Sequence, residues 1–530
     1  MVPIRQASTP ATNISRSACC VLMAMAVLFA PCWAHEVLPV DGPDGRLWLV
    51  QGGEARPPQS RGSFRERSEA TVPEEPNIVL GEDEARWMQA AWAYFGGPPA
   101  APAPSAAWTS PPAEAAGDSA PDGAPLTSQS TVMQPTGEAQ QLLVAVRSGT
   151  TVATPWSMAD QITALLIARR LGYIDARTFD RRFTRMVSFL GQMQLTADGM
   201  PNRFYDVSTG AALDGSLQPG VAGWSAVDTG RLLLWLRIAA EEHPQFAPFI
   251  RRAVARLSVC RIISERGQLQ LGTAGGEGIQ LSPESGRGYD AYAAQGYRAW
   301  GIEVPVPAVA ESYPFQTEIG GVRFAVSEDT TNQAPVMSTP PAYLGFELGF
   351  EPLGQSVDEV AGGRSAADAM AAVAEAQAAR YAESGKPTGR SDFRRGEDPT
   401  TVFGTVLAQG YPWSVSAPDG TLRAELPLVT TRAAFALNTF AEDPNAQLLL
   451  MLVEELFDPS SGWFEGRYEA TGAYEETRTS ATNAFVMEAL AYRHLGPLYP
   501  DAARPRDLQP LAMTRDGTCR LPLSLTAGTP

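Results

Sequence analysis

Lysine is nearly absent from this 530-residue chain. Lys386 is the only one, so the 41 basic residues are almost all arginine, and against 58 acids they leave a formal charge of −17. A nucleic-acid surface needs clustered Lys and Arg to neutralise phosphate, and this balance argues against such a partner. Histidine is scarce as well. Of His35, His243 and His494, the last two stand near expected helix C-termini, where they interact with helix dipoles rather than serve a nucleophile. Gly223-Trp-Ser-Ala-Val227 lacks the second glycine of a nucleophile elbow, and no His-Glu-x-x-His, phosphate loop or dinucleotide fingerprint occurs. No cofactor is expected, and the scattered cysteines and histidines give no zinc site of the usual kind.

Long apolar runs are missing after the first 30 residues. Arg5 and Arg16 precede the run Ala18 to Ala30, and Cys32-Trp33-Ala34 offers small residues for cleavage, so residues 1–34 read as an export signal. A lipid anchor on Cys32 is the alternative, although Phe29-Ala30-Pro31 is a poor approach to it. Nothing later reaches the roughly 20 apolar residues of a membrane-spanning helix, which predicts a periplasmic or secreted protein with no membrane span after signal removal. Cys19, Cys20 and Cys32 leave with the signal. Cys260 and Cys519 remain in an oxidising compartment, either joined as a disulfide that ties the tail to the middle of the chain or left as two separate thiols.

Residues 35–80 are rich in Gly, Pro, Arg and Glu and read as a flexible leader with one strand candidate, Arg46 to Val50. Glu82 to Phe95 reads as an amphipathic helix, and 96–137 is a Pro/Ala-rich tract with the composition of a disordered segment. From Pro155 onward helices pair across loops: Trp156–Leu171 with Ala176–Met193, and Trp224–Glu242 with Pro244–Ile263. Others are expected at Tyr289–Trp300, Tyr343–Phe350, Ser365–Glu383, Thr430–Phe440, Asn445–Phe457 and Ser480–Gly496. Around eleven helices without regular strand alternation exclude a parallel α/β sheet. They favour an all-α toroid of helical hairpins over a solenoid, since no fixed-period repeat is visible.

Carboxylates recur beside aromatics at the mouths of these helices. The cases are Trp156 with Asp160, Tyr205 with Asp206, Trp224 with Asp228 and Arg231, Tyr289-Asp290 with Tyr292, and Trp463 with Glu465 and Tyr468. Sugar clefts need this mixture, because ring faces stack on pyranose C–H groups while carboxylates, Arg and Asn bind hydroxyls. Glycosidic cleavage needs two carboxyl groups in unlike environments. For any one residue, an N-capping acid or an internal ion pair is the competing reading, and Asp228 and Arg231 are spaced to pair with each other.

The stretches Gly223 to Leu233 (GWSAVDTGRLL), Tyr289 to Trp300 (YDAYAAQGYRAW) and Ser461 to Gly496 resemble the bacterial domain-of-unknown-function 3131 family. Supporting segments are Trp156 to Asp160, Met200 to Asp206, Tyr343 to Phe350 and Arg380 to Val402 around Ser391-Asp392. That family is similar to the six-hairpin glycosidase group, including the endo-glucanases of glycoside hydrolase family 144. The resemblance implies an (α/α)6 toroid over 81–498, with minor β-hairpin decoration, 96–137 as an insertion in its first loop, and 499–530 as a C-terminal tail. In one departure, Ser338-Thr339-Pro340-Pro341 stands where relatives tend to carry Glu-Pro, which puts catalytic activity in question.

The leading expectation is an exported carbohydrate-active protein, a glycoside hydrolase-like enzyme acting on a bacterial polysaccharide or oligosaccharide. Asp228 and Glu465 are the candidate acid/base pair, with Arg231 tuning Asp228. Asp160, Asp206, Trp156, Tyr205, Trp224, Trp463, Tyr468 and Asn483 are candidate substrate contacts. The alternative is a non-catalytic polysaccharide-binding or envelope-assembly protein using the same cleft.

Overall fold

The computed structural model describes residues 80–96 and most of 142–521, together with the backbone of 37–41 and 47–51. The expected signal, most of the leader and nearly all of the insertion lie outside the described residues. The chain divides into two units, 1–74 and 75–530. In the first, Val37–Asp41 and Leu47–Gln51 pair antiparallel, with Val37 opposite Gln51, where the sequence suggests a single strand.

The second unit contains eleven helices among the described residues, one for each expected. Six of them form a closed inner ring: α2 (Pro155–Arg170), α4 (Ala226–Glu242), α6 (Asp290–Ala299), α7 (Thr339–Leu348), α9 (Thr431–Phe440) and α11 (Ser480–Leu495), with α11 packed back on α2. The outer helices are α1 (Glu82–Tyr94) on α11, α3 (Ala176–Gln192) on α2, α5 (Ala247–Val254) on α3 and α4, α8 (Ala366–Ser384) on α7, and α10 (Pro444–Val453) on α9. Burial follows this division. In α2 every residue from Ser157 to Ala168 is buried, as for a helix enclosed on all sides. In α3 only one stripe is buried, comprising Phe179, Arg182, Phe183, Met186, Val187 and Leu190. Between α6 and α7 in the chain the described residues hold no outer helix. They hold the hairpin Phe315–Ile319/Val322–Val326 and Ile302–Glu303, which pairs in parallel with Gln509–Pro510 of the tail.

Two glycines set the tightest contact in the ring. A Cβ on Gly296 of α6 would lie 1.7 Å from the Gly230 carbonyl oxygen of α4, and one on Gly230 would lie 2.3 Å from that of Ala293. Backbones this close admit no side chain between them.

Short strands feed the inner helices at one end of the ring. Val152–Ala153, Gly223–Ser225 and Leu428–Thr430 lead directly into α2, α4 and α9, and each belongs to a three-stranded sheet. Thr154, Ser225, Thr430 and Thr479 cap the helices that follow by accepting the N3 backbone N–H. Trp224 is therefore on a strand, not in α4, and α5 is shorter than the expected Pro244–Ile263. Further along, Cys260 and Cys519 are bonded, with S–S 2.15 Å, and the Val259 N–H donates to the Cys519 carbonyl at 2.9 Å. No helix among the described residues is long and apolar enough to cross a membrane.

Candidate active site

The N-terminal ends of the inner helices enclose a cavity of about 380 Å³. Its wall takes Trp156 from α2, Val227 and Asp228 from α4, Arg432 from α9 and Ala481 from α11, with Tyr289 just ahead of α6. The sheets add Phe204, Asp392, Arg394 and Phe403, and Glu284 follows directly on the strand Gly278–Pro283. Three carboxyl groups, Asp228, Glu284 and Asp392, thus share one pocket with Arg203, Arg394, Arg432 and four aromatic rings. The helix N-termini add partial positive charge, which favours ionised oxygens there.

The carboxyl groups differ in state. Glu284 accepts from the Ser225 hydroxyl at 2.6 Å and the Val227 N–H at 3.1 Å. Burial, reinforced by the negative charge of Asp228, pushes its pKa up to about 8 in spite of those bonds, so it carries a proton at neutral pH. Burial also acts on Asp392, but Arg432 and the Tyr289 hydroxyl outweigh it and hold that carboxyl below its ordinary value. Tyr289 donates to Asp392 at 2.6 Å and Arg432 at 3.1 Å. A protonated and an ionised carboxyl group therefore line the same cavity.

Beneath the pocket, Arg231 of α4 is fully buried at the centre of the ring. It bonds to Asp160 of α2 at 3.1 Å, Glu347 of α7 at 2.7 Å, Glu488 of α11 at 2.7 Å and the Tyr292 hydroxyl of α6 at 2.5 Å. One guanidinium serves three carboxyl groups, and burial raises all three, Asp160 to about 6 and Glu488 furthest above its usual range. Its guanidinium carbon lies 4.9 Å from the Trp156 ring, so the pocket aromatic rests on the buried cation.

Of the residues expected at a cleft, Asp228 and Trp156 line this pocket. Asp160 and Arg231 are in the buried cluster below it; Arg231 is directed at Asp160, Glu347 and Glu488, and the electrostatic effect of Asp228 falls on Glu284. Glu465 is 1% exposed. It accepts from the Thr479 and Thr482 hydroxyls at 2.6 and 2.5 Å and from the Arg394 N–H at 2.9 Å, which ties the Asp392–Arg394 strand to the start of α11. Tyr205, Trp224 and Trp463 are entirely buried, and their polar atoms bond to the Gln194 carbonyl, Asp198 and the Trp87 carbonyl, leaving no ring face for a sugar. Asn483 is buried too and accepts the Trp463 N–H. Asp206 closes a turn by accepting from Ser208 and Thr209, and Tyr468 lines a separate groove with Glu475. Thr339, at the departure from the family pattern, is buried with its hydroxyl on that of Ser391, whose own hydroxyl is 3.2 Å from Asp392.

Sequence reasoning missed Glu284, Asp392 as a site residue, and Arg432. Glu284 has no adjacent aromatic, whereas Asp392 has Phe393 beside it, so the carboxylate-beside-aromatic signal could have found Asp392. The shared feature is position, since each stands within a few residues of an inner-helix N-terminus or on a strand that packs there.

No curated protein matches the sequence. Among solved structures, a candidate glucoamylase from Bacteroides uniformis is 12% identical with a TM-score of 0.54, covering 80% of this chain and 94% of its own. The endo-beta-1,2-glucanase from Chitinophaga pinensis, in complex with sophorotriose and glucose, is 11% identical with a TM-score of 0.52, covering 79% and 94%. Residues 132–496 match the family described as Protein of unknown function (DUF3131). The chain belongs to that family, and its fold is the (α/α)6 toroid of the six-hairpin glycosidases.

Proposed function

We propose that the pocket at the helix N-termini hydrolyses a glycosidic bond in a bacterial poly- or oligosaccharide, outside the cytoplasm. The observation that carries this reading is the pairing of Glu284, protonated at neutral pH, with ionised Asp392 in one cavity. Glu284 acts as general acid and protonates the leaving oxygen. Asp392, on a different element of the wall, acts as the ionised partner that activates water or attacks the sugar carbon. Asp228 keeps the proton on Glu284, and Trp156, Phe204, Tyr289 and Phe403 supply ring surface for the sugar. The Chitinophaga glucanase supports β-1,2-glucan as a first substrate to try. The apparent export signal and the Cys260–Cys519 bond support an oxidising location.

The test is release of new reducing ends from a panel of bacterial glucans and capsular polymers. Glu284→Gln and Asp392→Asn should each lower the rate by about 100- to 10 000-fold, the usual contribution of a positioned acid or base, with the fold unchanged by circular dichroism. Full activity in either variant sinks the assignment.

A further inference from the structure

Basic charge is gathered in a second cavity, of about 500 Å³, between the C-terminal end of α1 and the loop 142–150. Arg147, Arg182, Arg185 and Arg478 are among its lining residues, and no Asp or Glu is among the described ones. For a chain with 58 acids and 41 bases this is a local inversion of charge. Arg182 is buried, donates to the Phe95 carbonyl, and lies 4.8 Å over the Trp92 ring. Arg147 donates to the Arg395 carbonyl at 2.6 Å. Among the described residues neither has a carboxylate partner. Burial and the like charges of Arg181 and Arg185 push the Arg182 pKa down to about 10, the direction expected of crowded cations. Arg478 donates to the Ser461 hydroxyl at 2.5 Å, reaches Asp458 only at 3.7 Å, and has a buried Nε without a partner.

The cavity backs directly onto the candidate active site. Arg147 and Thr479 form an isolated antiparallel bridge. Arg147 and Arg478 face the second cavity, while Val146 and Thr479 line the first.

We propose that this second cavity is a binding site for an oxyanion, a carboxylate or phosphate group that is either free or carried on a saccharide. Guanidinium groups match such planar or tetrahedral oxyanions through paired N–H donors. An anion also supplies counter-charge to Arg147 and Arg182, which have no carboxylate partner among the described residues. The site stands whether or not the neighbouring pocket is hydrolytic, because its evidence is charge and geometry alone.

Calorimetric titration of the full chain in low salt tests it with three probes: inorganic phosphate, a galacturonic acid trimer, and a neutral glucose trimer. At least one anion should bind, with affinity that falls as salt rises. Arg147→Gln and Arg185→Gln, both at incompletely buried positions, should each weaken that binding by about tenfold, the worth of one charge-assisted hydrogen bond. Their effect on the neutral trimer should be nil. Tighter binding of the uronide than of phosphate identifies a saccharide-borne anion, and the reverse order identifies a free one. If neither anion binds, or if a folded Arg147→Gln/Arg185→Gln double variant binds both like the parent chain, the proposal is wrong.

Discussion

Glu284 binds its proton more tightly than a solvated glutamate, and Asp392 binds its own less tightly. If these two perform acid and base roles, kcat/KM rises with pH as Asp392 ionises, below the ordinary aspartate range, and falls near pH 8 as Glu284 loses its proton. Folding follows the same sign on the alkaline side: stability is fully present below the unfolded glutamate value and declines as pH rises through about 8. Because Asp228 raises Glu284, Asp228→Asn should move the alkaline limb of a pH–rate profile to lower pH; an unmoved limb would separate the two groups. The buried cluster gives a second contrast. Arg231→Met strands Asp160, Glu347 and Glu488 and should cost about 3–5 kcal/mol in urea titrations. Glu488→Gln should cost clearly less than Arg231→Met in the same titration, because burial already disfavours the charged form of that carboxyl. At this scale the sequence was only partly legible. Trp156 and Asp228 reach the pocket, but a Trp beside an acid reads the same in a core as in a cleft. Trp224 and Trp463 satisfy their indole N–H groups internally, and only the fold reveals it.

At the level of elements, helices were the readable part, since each inner and outer segment carries a long apolar pattern. The start of α4 shows what was overlooked. Ser225 caps it by accepting the Asp228 N–H, a Ser-x-x-Asp pattern that marks Ala226 as the first helical residue and leaves Trp224 on a strand. The two- and three-residue strands have too little sequence to show alternation, and Gly223–Ser225 pairs with a strand more than 40 residues further on, so the sheets that bring Glu284 and Asp392 to the pocket were not read from the sequence. The α4–α6 contact makes a sharp prediction. Gly296→Ala places a methyl group against the Gly230 carbonyl, and should cost about 2 kcal/mol or more by overpacking. A neutral effect on the urea midpoint would mean that the two helices are farther apart than described.

On the scale of the whole molecule, the closed ring places the beginnings of the inner helices at one end, and that arrangement unites residues from 146 to 481 in one pocket. Acidic composition alone says only that polyanionic nucleic acid is a poor partner. The distribution says more: acids and arginines together in the first cavity, and among the described residues four arginines and no acid lining the one behind it. The fold itself is shared with a candidate glucoamylase and a glucanase at 11–12% identity, so the helical toroid, not any one motif, is what they have in common. The most direct measurement of the central claim compares the parent chain with Glu284→Gln on β-1,2-glucan, following binding by calorimetry and cleavage by new reducing ends. The account predicts that both bind and only the parent cleaves. Binding by the parent without any new reducing ends, across this and the wider glycan panel, would contradict it and make the toroid a carbohydrate-binding protein.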